Sequence, residues 1–215
     1  MTTRSGDVGL HVAAAASGRV AALPSVEPSH VAPPPAPLVP AALELLGWRD
    51  DELDDQLPPA VAYAGAHHLV LAVADRATLS RLDYDFDGLQ RLMLDHDLVT
   101  LQLVWRQDDD TFHARNPFPV GGVVEDPATG AAAVALGGYL RATDLVDGPA
   151  AITIHQGPDM SRPSTLRVTI PEHGGDRGRR PRDPTRRVGP RRAGRSTRRP
   201  RADGPCGGCR SLRTV

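Results

Sequence analysis

Apolar positions along this chain switch between two spacings, and the switches mark its elements. Val8, Leu10 and Val12 alternate with other residues, and Val20 to Leu23 follow, which predicts strands within residues 1–31. Pro33-Pro34-Pro35-Ala36-Pro37 forms a stiff polyproline connector. A short helix is expected over Val39 to Leu46, stopped by Gly47. Asp50 to Pro59 is an acidic, proline-ended loop, and His68 to Val73 is an apolar strand. Asp75 and Asp87 are expected as helix caps, the second leading into Leu89, Leu92 and Met93. Val99, Leu101 and Leu103 against Thr111 to Arg115 predict a hairpin around Asp108-Asp109-Asp110. Ile152 to Gln156 and the alternation Leu166, Val168, Ile170 predict two more strands.

The segment Ala131 to Arg141 has no polar face up to its final arginine. A helix apolar all round is a buried helix, here one enclosed by sheet. Gly137 and Gly138 each cost about 1 kcal/mol of helix propensity relative to alanine, which is tolerable where strands press close. Strands, one buried helix and further strands give an α+β layer pattern.

After Glu172 the patterning stops. Residues 174–215 contain no Phe, Trp, Tyr, Ile or Met, and 13 of these 42 residues are Gly or Pro, which predicts a disordered tail. The net charge of −1 conceals a split: 23 acids against 11 arginines up to His173, then 3 acids against 14 arginines. The body is therefore strongly acidic and the tail strongly basic, and lysine is absent throughout. Three readings of the tail stay open: a nucleic-acid arm, an inert extension, or translation in a shifted frame of GC-rich DNA, which the abrupt break favours. The two cysteines, Cys206 and Cys209, lie in the tail and form one isolated pair, too few ligands for a closed zinc site. A reducing, cytoplasmic setting is the expectation. No apolar run is long enough to span a membrane.

Candidate chemistry concentrates in Glu125-Asp126-Pro127-Ala128-Thr129-Gly130. Pro127 fixes its own φ and drives Asp126 out of the helical region, so the chain turns there. Thr129 is expected to cap the following helix, while Gly130 and Ala131 leave their amides open to a carboxylate or other anion. Asp126 beside that seat is a candidate proton carrier. His67-His68 does not suggest a metal pair, because adjacent strand residues point to opposite faces. His113 is expected as an ordinary hairpin residue.

The run Phe112-His113-Ala114-Arg115-Asn116-Pro117-Phe118-Pro119, then Gly121-Gly122, then Glu125 to Gly130, resembles the PhzF-like phenazine-biosynthesis isomerases. Gln156-Gly157 with Met160-Ser161-Arg162-Pro163-Ser164 is similar to that family too, as are Tyr63 to Leu71 and Ser25 to Pro28 more weakly. The resemblance covers roughly residues 1–172. It implies a diaminopimelate epimerase-like mixed sheet or barrel wrapped around a central helix. The implied divisions are a remnant of a first domain at 1–32, a connector with a short helix at 33–58, a second domain at 59–172 and the tail at 173–215, with most of the first domain missing. It implies cofactor-independent, metal-free proton transfer on a small carboxylate-bearing substrate, with Asp126 catalytic and Thr129, Gly130 and Ala131 binding substrate, in a homodimer. Family members commonly carry serine where Ala131 stands, and the family's first-domain glutamate has no counterpart; Glu27, Glu44 and Glu52 fall in other contexts. The alternative is a catalytically inactive anion-binding protein, or a nucleic-acid-associated one acting through its basic tail.

Overall fold

Strands that are apolar on both sides need cover on both sides, and that requirement organises the chain. The computed structural model describes residues 30–146 and 149–170 in full, and four earlier strands by backbone alone: β1 (Thr2–Thr3), β2 (Gly6–Asp7), β3 (His11–Ala15) and β4 (Gly18–Ala22). β1 pairs antiparallel with β2, and β3 with β4. Val8, Leu10, Leu23, the segment Ser25 to Pro28, the arginine-rich tail and both cysteines lie outside the described residues. All described residues belong to one unit, Met1–Gly174.

From β5 (His30–Ala32) the chain enters α1 (Leu38–Leu46), then β6 (Ala60–Tyr63), β7 (His67–Val73), α2 (Arg76–Ser80) and α3 (Phe86–Asp95). β8 (Leu98–Arg106), β9 (Thr111–Arg115), β10 (Pro117–Phe118) and β11 (Val123–Glu125) follow, then α4 (Gly130–Ala142), β12 (Ala150–Gln156) and β13 (Ser164–Ile170). Seven of these strands make a mixed sheet in the order β13-β12-β9-β8-β7-β6-β5. β7–β8 and β9–β12 are its parallel joints, and the rest are antiparallel. β10 and β11 pair separately as a short ribbon.

Alternate residues of the central strands feed two cores. Val70, Ala72, Val104, Phe112, Ala114, Ile152 and Ile154 pack with Ala133, Leu136, Tyr139 and Leu140 of α4. Leu69, Leu71, Val73, Leu101 and Leu103 pack with α1, α2 and α3 through Leu38, Leu46, Leu79, Leu89 and Met93. α4 touches β13 at one sheet edge and β5 and β6 at the other, so the sheet curls around it as a half-barrel. The expected enclosed helix is present: eight of its thirteen residues are buried, from Ala132 to Leu140. Glycine at position 137 has a physical reason, because a Cβ there would lie 2.9 Å from Val168 Cγ1.

The predicted helix ending at Gly47 is found, with Gly47 left-handed at φ 63° and its amide bonded to Glu44 O. Asp75 caps α2 through the Thr78 amide. Asp87 does not cap α3; Asp85 does, accepting from the Gly88 amide, and Asp87 lies in the first turn. Two aspartates two residues apart compete for the cap, and Asp85 wins because its backbone is extended and its amide donates to the Leu45 carbonyl, holding it outside the helix. β6 was not among the expected strands. Among the described residues no helix is long and apolar enough to cross a membrane.

His68 is fully buried on the α4 side of β7, with Nδ1 2.8 Å from Thr100 Oγ1. Burial, then the neighbouring His67, pulls its pKa down to about 4. The folded protein therefore resists protonating it while the unfolded chain does not, so stability falls as pH drops from about 6.5 toward 4. Over that window the loss should approach 3 kcal/mol, and His68→Asn should flatten the acid limb of denaturant-measured stability. In a second check, Gly137→Leu should lower stability by about 1–3 kcal/mol through overpacking, read as a lower thermal midpoint.

Candidate active site

The turn after β11 is built from backbone restriction and then fastened by side chains. Gly122, left-handed at φ 76°, closes the ribbon that brings β11 back beside β10. The Asp126 amide then donates to Asn116 O at 3.0 Å, tying the turn to the end of β9. One residue earlier, Glu125 and Arg115 form a bidentate ion pair whose side chains are only 6 % and 11 % exposed. Arg115 also donates to the carbonyl of Ser80 at 3.0 Å, so β9, β11 and α2 meet at one guanidinium.

Asp126 itself is half-buried and has no cationic partner among the described residues. Its Oδ2 accepts from Thr129 Oγ1 at 2.8 Å, and its Oδ1 accepts from the Ala128 amide at 3.3 Å. Thr129 occupies the N-cap position of α4, but its hydroxyl does not cap the helix as expected. The hydroxyl turns back to Asp126 because its other neighbour, Gln156, can only donate to it. Thr129 O still accepts from the Ala133 amide. The amides of Gly130, Ala131 and Ala132 find no acceptor among the described residues, which leaves the positive end of a thirteen-residue helix open. Gly130 and Ala131 are half-buried. The four residues singled out in the sequence thus lie together: one carboxylate, one hydroxyl committed to it, and amides free for an anion.

Gln156 is the residue that sequence reasoning named without a role. It is 1 % exposed, and it accepts from the Thr129 amide at 3.1 Å. It donates to Asp126 O at 2.6 Å and to Thr129 Oγ1 at 3.0 Å. A signal was available: Gln156 shares strand parity with the core residues Ile152 and Ile154, so a polar group had to be aimed inward there. Gly157 follows at φ 86°, and a Cβ on it would lie 2.2 Å from Arg162 O and 3.1 Å from Pro127 O. This turn therefore packs directly on the Asp126-Pro127 turn.

None of the four predicted site residues lines a hollow of about 190 Å³ between Leu82, Tyr84, Phe86, Val124 and the Arg115–Glu125 pair. Tyr84 donates to Val124 O at 2.5 Å there, and burial, then Glu125, pushes its pKa up to about 12. His67 and His68 take opposite faces of β7 and do not converge: His67 meets Asp97 at 3.2 Å, and His68 meets Thr100. His113 sits between Trp105 and His155, with ring centroids 5.3 and 5.2 Å away.

Comparison with known proteins bears on the family and the fold. The profile of the phenazine biosynthesis-like proteins, PhzC-PhzF, matches residues 1–182. An uncharacterized isomerase of Deinococcus radiodurans is 29% identical over 134 residues, 61% of this chain and 44% of that protein. The uncharacterized isomerase mll1393 of Mesorhizobium japonicum is 40% identical over 68 residues, 31% of this chain and 22% of that protein. Among solved structures, the predicted epimerase PA4716 of Pseudomonas aeruginosa superposes with a TM-score of 0.63 at 28% identity, covering 76% of this chain and 56% of that one. The matched stretches take in less than half the length of either curated isomerase.

The Arg115–Glu125 clamp yields a stability prediction. Arg115→Ala strands a buried carboxylate and should cost about 3–5 kcal/mol, whereas the double substitution Arg115→Met with Glu125→Leu should recover most of it. Urea denaturation of the single and double variants checks this.

Proposed function

This chain belongs to the PhzC-PhzF family of phenazine biosynthesis-like proteins, and on that footing we propose that it is an isomerase that moves a proton on a small carboxylate-bearing substrate without a cofactor. One observation carries the reading: three open amides at the start of α4 stand next to Asp126, a half-buried acid whose hydrogen-bond donors are all neutral.

The substrate carboxylate would rest on the amides of Gly130, Ala131 and Ala132, with the helix dipole favouring its charge. Asp126 then removes a proton from a nearby carbon. The C–H bond breaks, an O–H bond forms on Asp126, and the released electron pair spreads into the conjugated carboxylate. The open amides stabilise the charge that builds up on those oxygens. The proton on Asp126 exchanges with solvent, and delivery of a proton from Asp126 to a different carbon shifts the double bond and regenerates the carboxylate. A single acid suits such a transfer along one face of the substrate. Alanine at position 131 keeps the anion-binding amide and supplies no hydroxyl, so Asp126 carries the proton alone.

Solvent deuterium uptake into cyclic amino acids and dihydroaromatic acids, followed by mass spectrometry, tests the proposal. Uptake into at least one of them is expected, and Asp126→Asn should slow it by about 10²–10⁴-fold. Acetate should shift the backbone amide resonances of Gly130 and Ala131. Absence of uptake across the panel, with no acetate response at these amides, would remove the isomerase reading.

A further inference from the structure

We propose that Gln156, acting through Thr129, fixes which oxygen of Asp126 exchanges protons, holding Oδ2 as a permanent acceptor and leaving Oδ1 as the working atom. Its meaning for catalysis rests on the isomerase reading; the hydrogen-bond assignment itself does not.

Donor and acceptor identities force the direction of the chain. The Thr129 amide can only donate, so the Gln156 atom 3.1 Å from it must be the carbonyl oxygen. The NH₂ group therefore faces the other way and gives one proton to Asp126 O at 2.6 Å and one to Thr129 Oγ1 at 3.0 Å. With that approach to its oxygen occupied by a donor, the Thr129 hydroxyl must send its single proton elsewhere. Asp126 Oδ2, 2.8 Å away, is the acceptor it meets among the described residues. Placing a proton on Oδ2 would turn the Thr129 hydroxyl away from its acceptor on a residue only 9 % exposed, which is costly.

Oδ1 is different. Among the described residues it meets only the Ala128 amide at 3.3 Å, a long bond to an exposed turn residue. That oxygen keeps a free lone pair. The chain Gln156, Thr129, Asp126 thus acts on orientation as well as on charge. Gln156 also grips the Asp126 carbonyl, and the Gly157 turn behind it abuts Pro127 O, so the backbone that carries the carboxylate is held from both turns. Gln156 and Thr129 are positioning residues in this scheme, and Asp126 is the catalytic one.

Infrared spectroscopy of the full chain at neutral pH tests the assignment without any substrate. Spectra of ¹³C-aspartate-labelled protein, differenced against Asp126→Asn, isolate the two carboxylate stretching bands of Asp126. Unequal hydrogen bonding of the two oxygens widens their separation. Wild type and Thr129→Ser should share the same wide separation, whereas Thr129→Val and Gln156→Leu should narrow it. If Gln156→Leu does not fold, the serine and valine pair decides. A separation unchanged in Thr129→Val, or lost in Thr129→Ser, overturns the inference. On any acid that wild type deuterates, Thr129→Val should lower kcat by about 10²-fold with KM unchanged; an altered KM with kcat intact would make Thr129 a binding residue and also overturn it. Wild type that shows the infrared pattern yet deuterates nothing would sink the isomerase reading and leave the oxygen assignment standing.

Discussion

Enclosure of α4 is the constraint on which the remaining architecture depends. A helix of alanine, glycine and leucine offers no face to water, so the sheet must reach it from several directions. Contact with β13 at one edge and with β5 and β6 at the other is possible only if the sheet curls. Glycine at position 137 lets Val168 approach where any side chain would intrude. Once the helix axis is fixed in this way, so is the location of its first turn. The anion seat proposed on its backbone amides needs that fixity, because amides cannot adjust by rotamer.

The inward-facing positions of the sheet are not uniformly apolar. His68, Thr100, Gln102, Asn116 and Gln156 are all buried. They bond in separate sets: His68 with Thr100, Gln102 with Asn116, and Gln156 with Thr129 and the Asp126 carbonyl. Each of these hydrogen bonds fixes orientation inside a low-dielectric core, while His68 Nε2 and Asn116 Oδ1 are left without a partner among the described residues. Such groups follow the path of the chain toward the turn at Asp126 through Asn116, whose carbonyl holds the Asp126 amide.

Local physics was legible in the sequence, and long-range partnership was not. The buried helix could be read from Ala131 to Leu140 because every position there is apolar or glycine, and the stop at Gly47 followed from one residue's freedom at positive φ. His68 to Val73 read as one apolar run because the strand serves two cores at once. β6 escaped notice because Ala60 to Tyr63 carries small residues with little contrast between faces. The choice of Asp85 over Asp87 turned on backbone conformation, which composition does not encode. At the site, Pro127 announced the turn and glycine the open amides. The Thr129 hydroxyl was misassigned because its partner, Gln156, lies 27 residues away, and only the fold brings it near.

Adjacent carboxylates in this turn divide their labour by strand parity. Glu125 points toward Arg115 and is consumed by a bidentate ion pair that holds β9, β11 and α2 together. Asp126, on the other side of the same backbone, receives only neutral donors. A carboxylate with both oxygens taken by a guanidinium has neither free to meet another group, whereas one held by a hydroxyl and an amide is oriented without a counter-charge. The ion pair also leaves no free guanidinium edge on Arg115, so the proposed anion seat is left to the helix amides. Position along one segment therefore separates the residue that anchors the turn from the residue proposed to react.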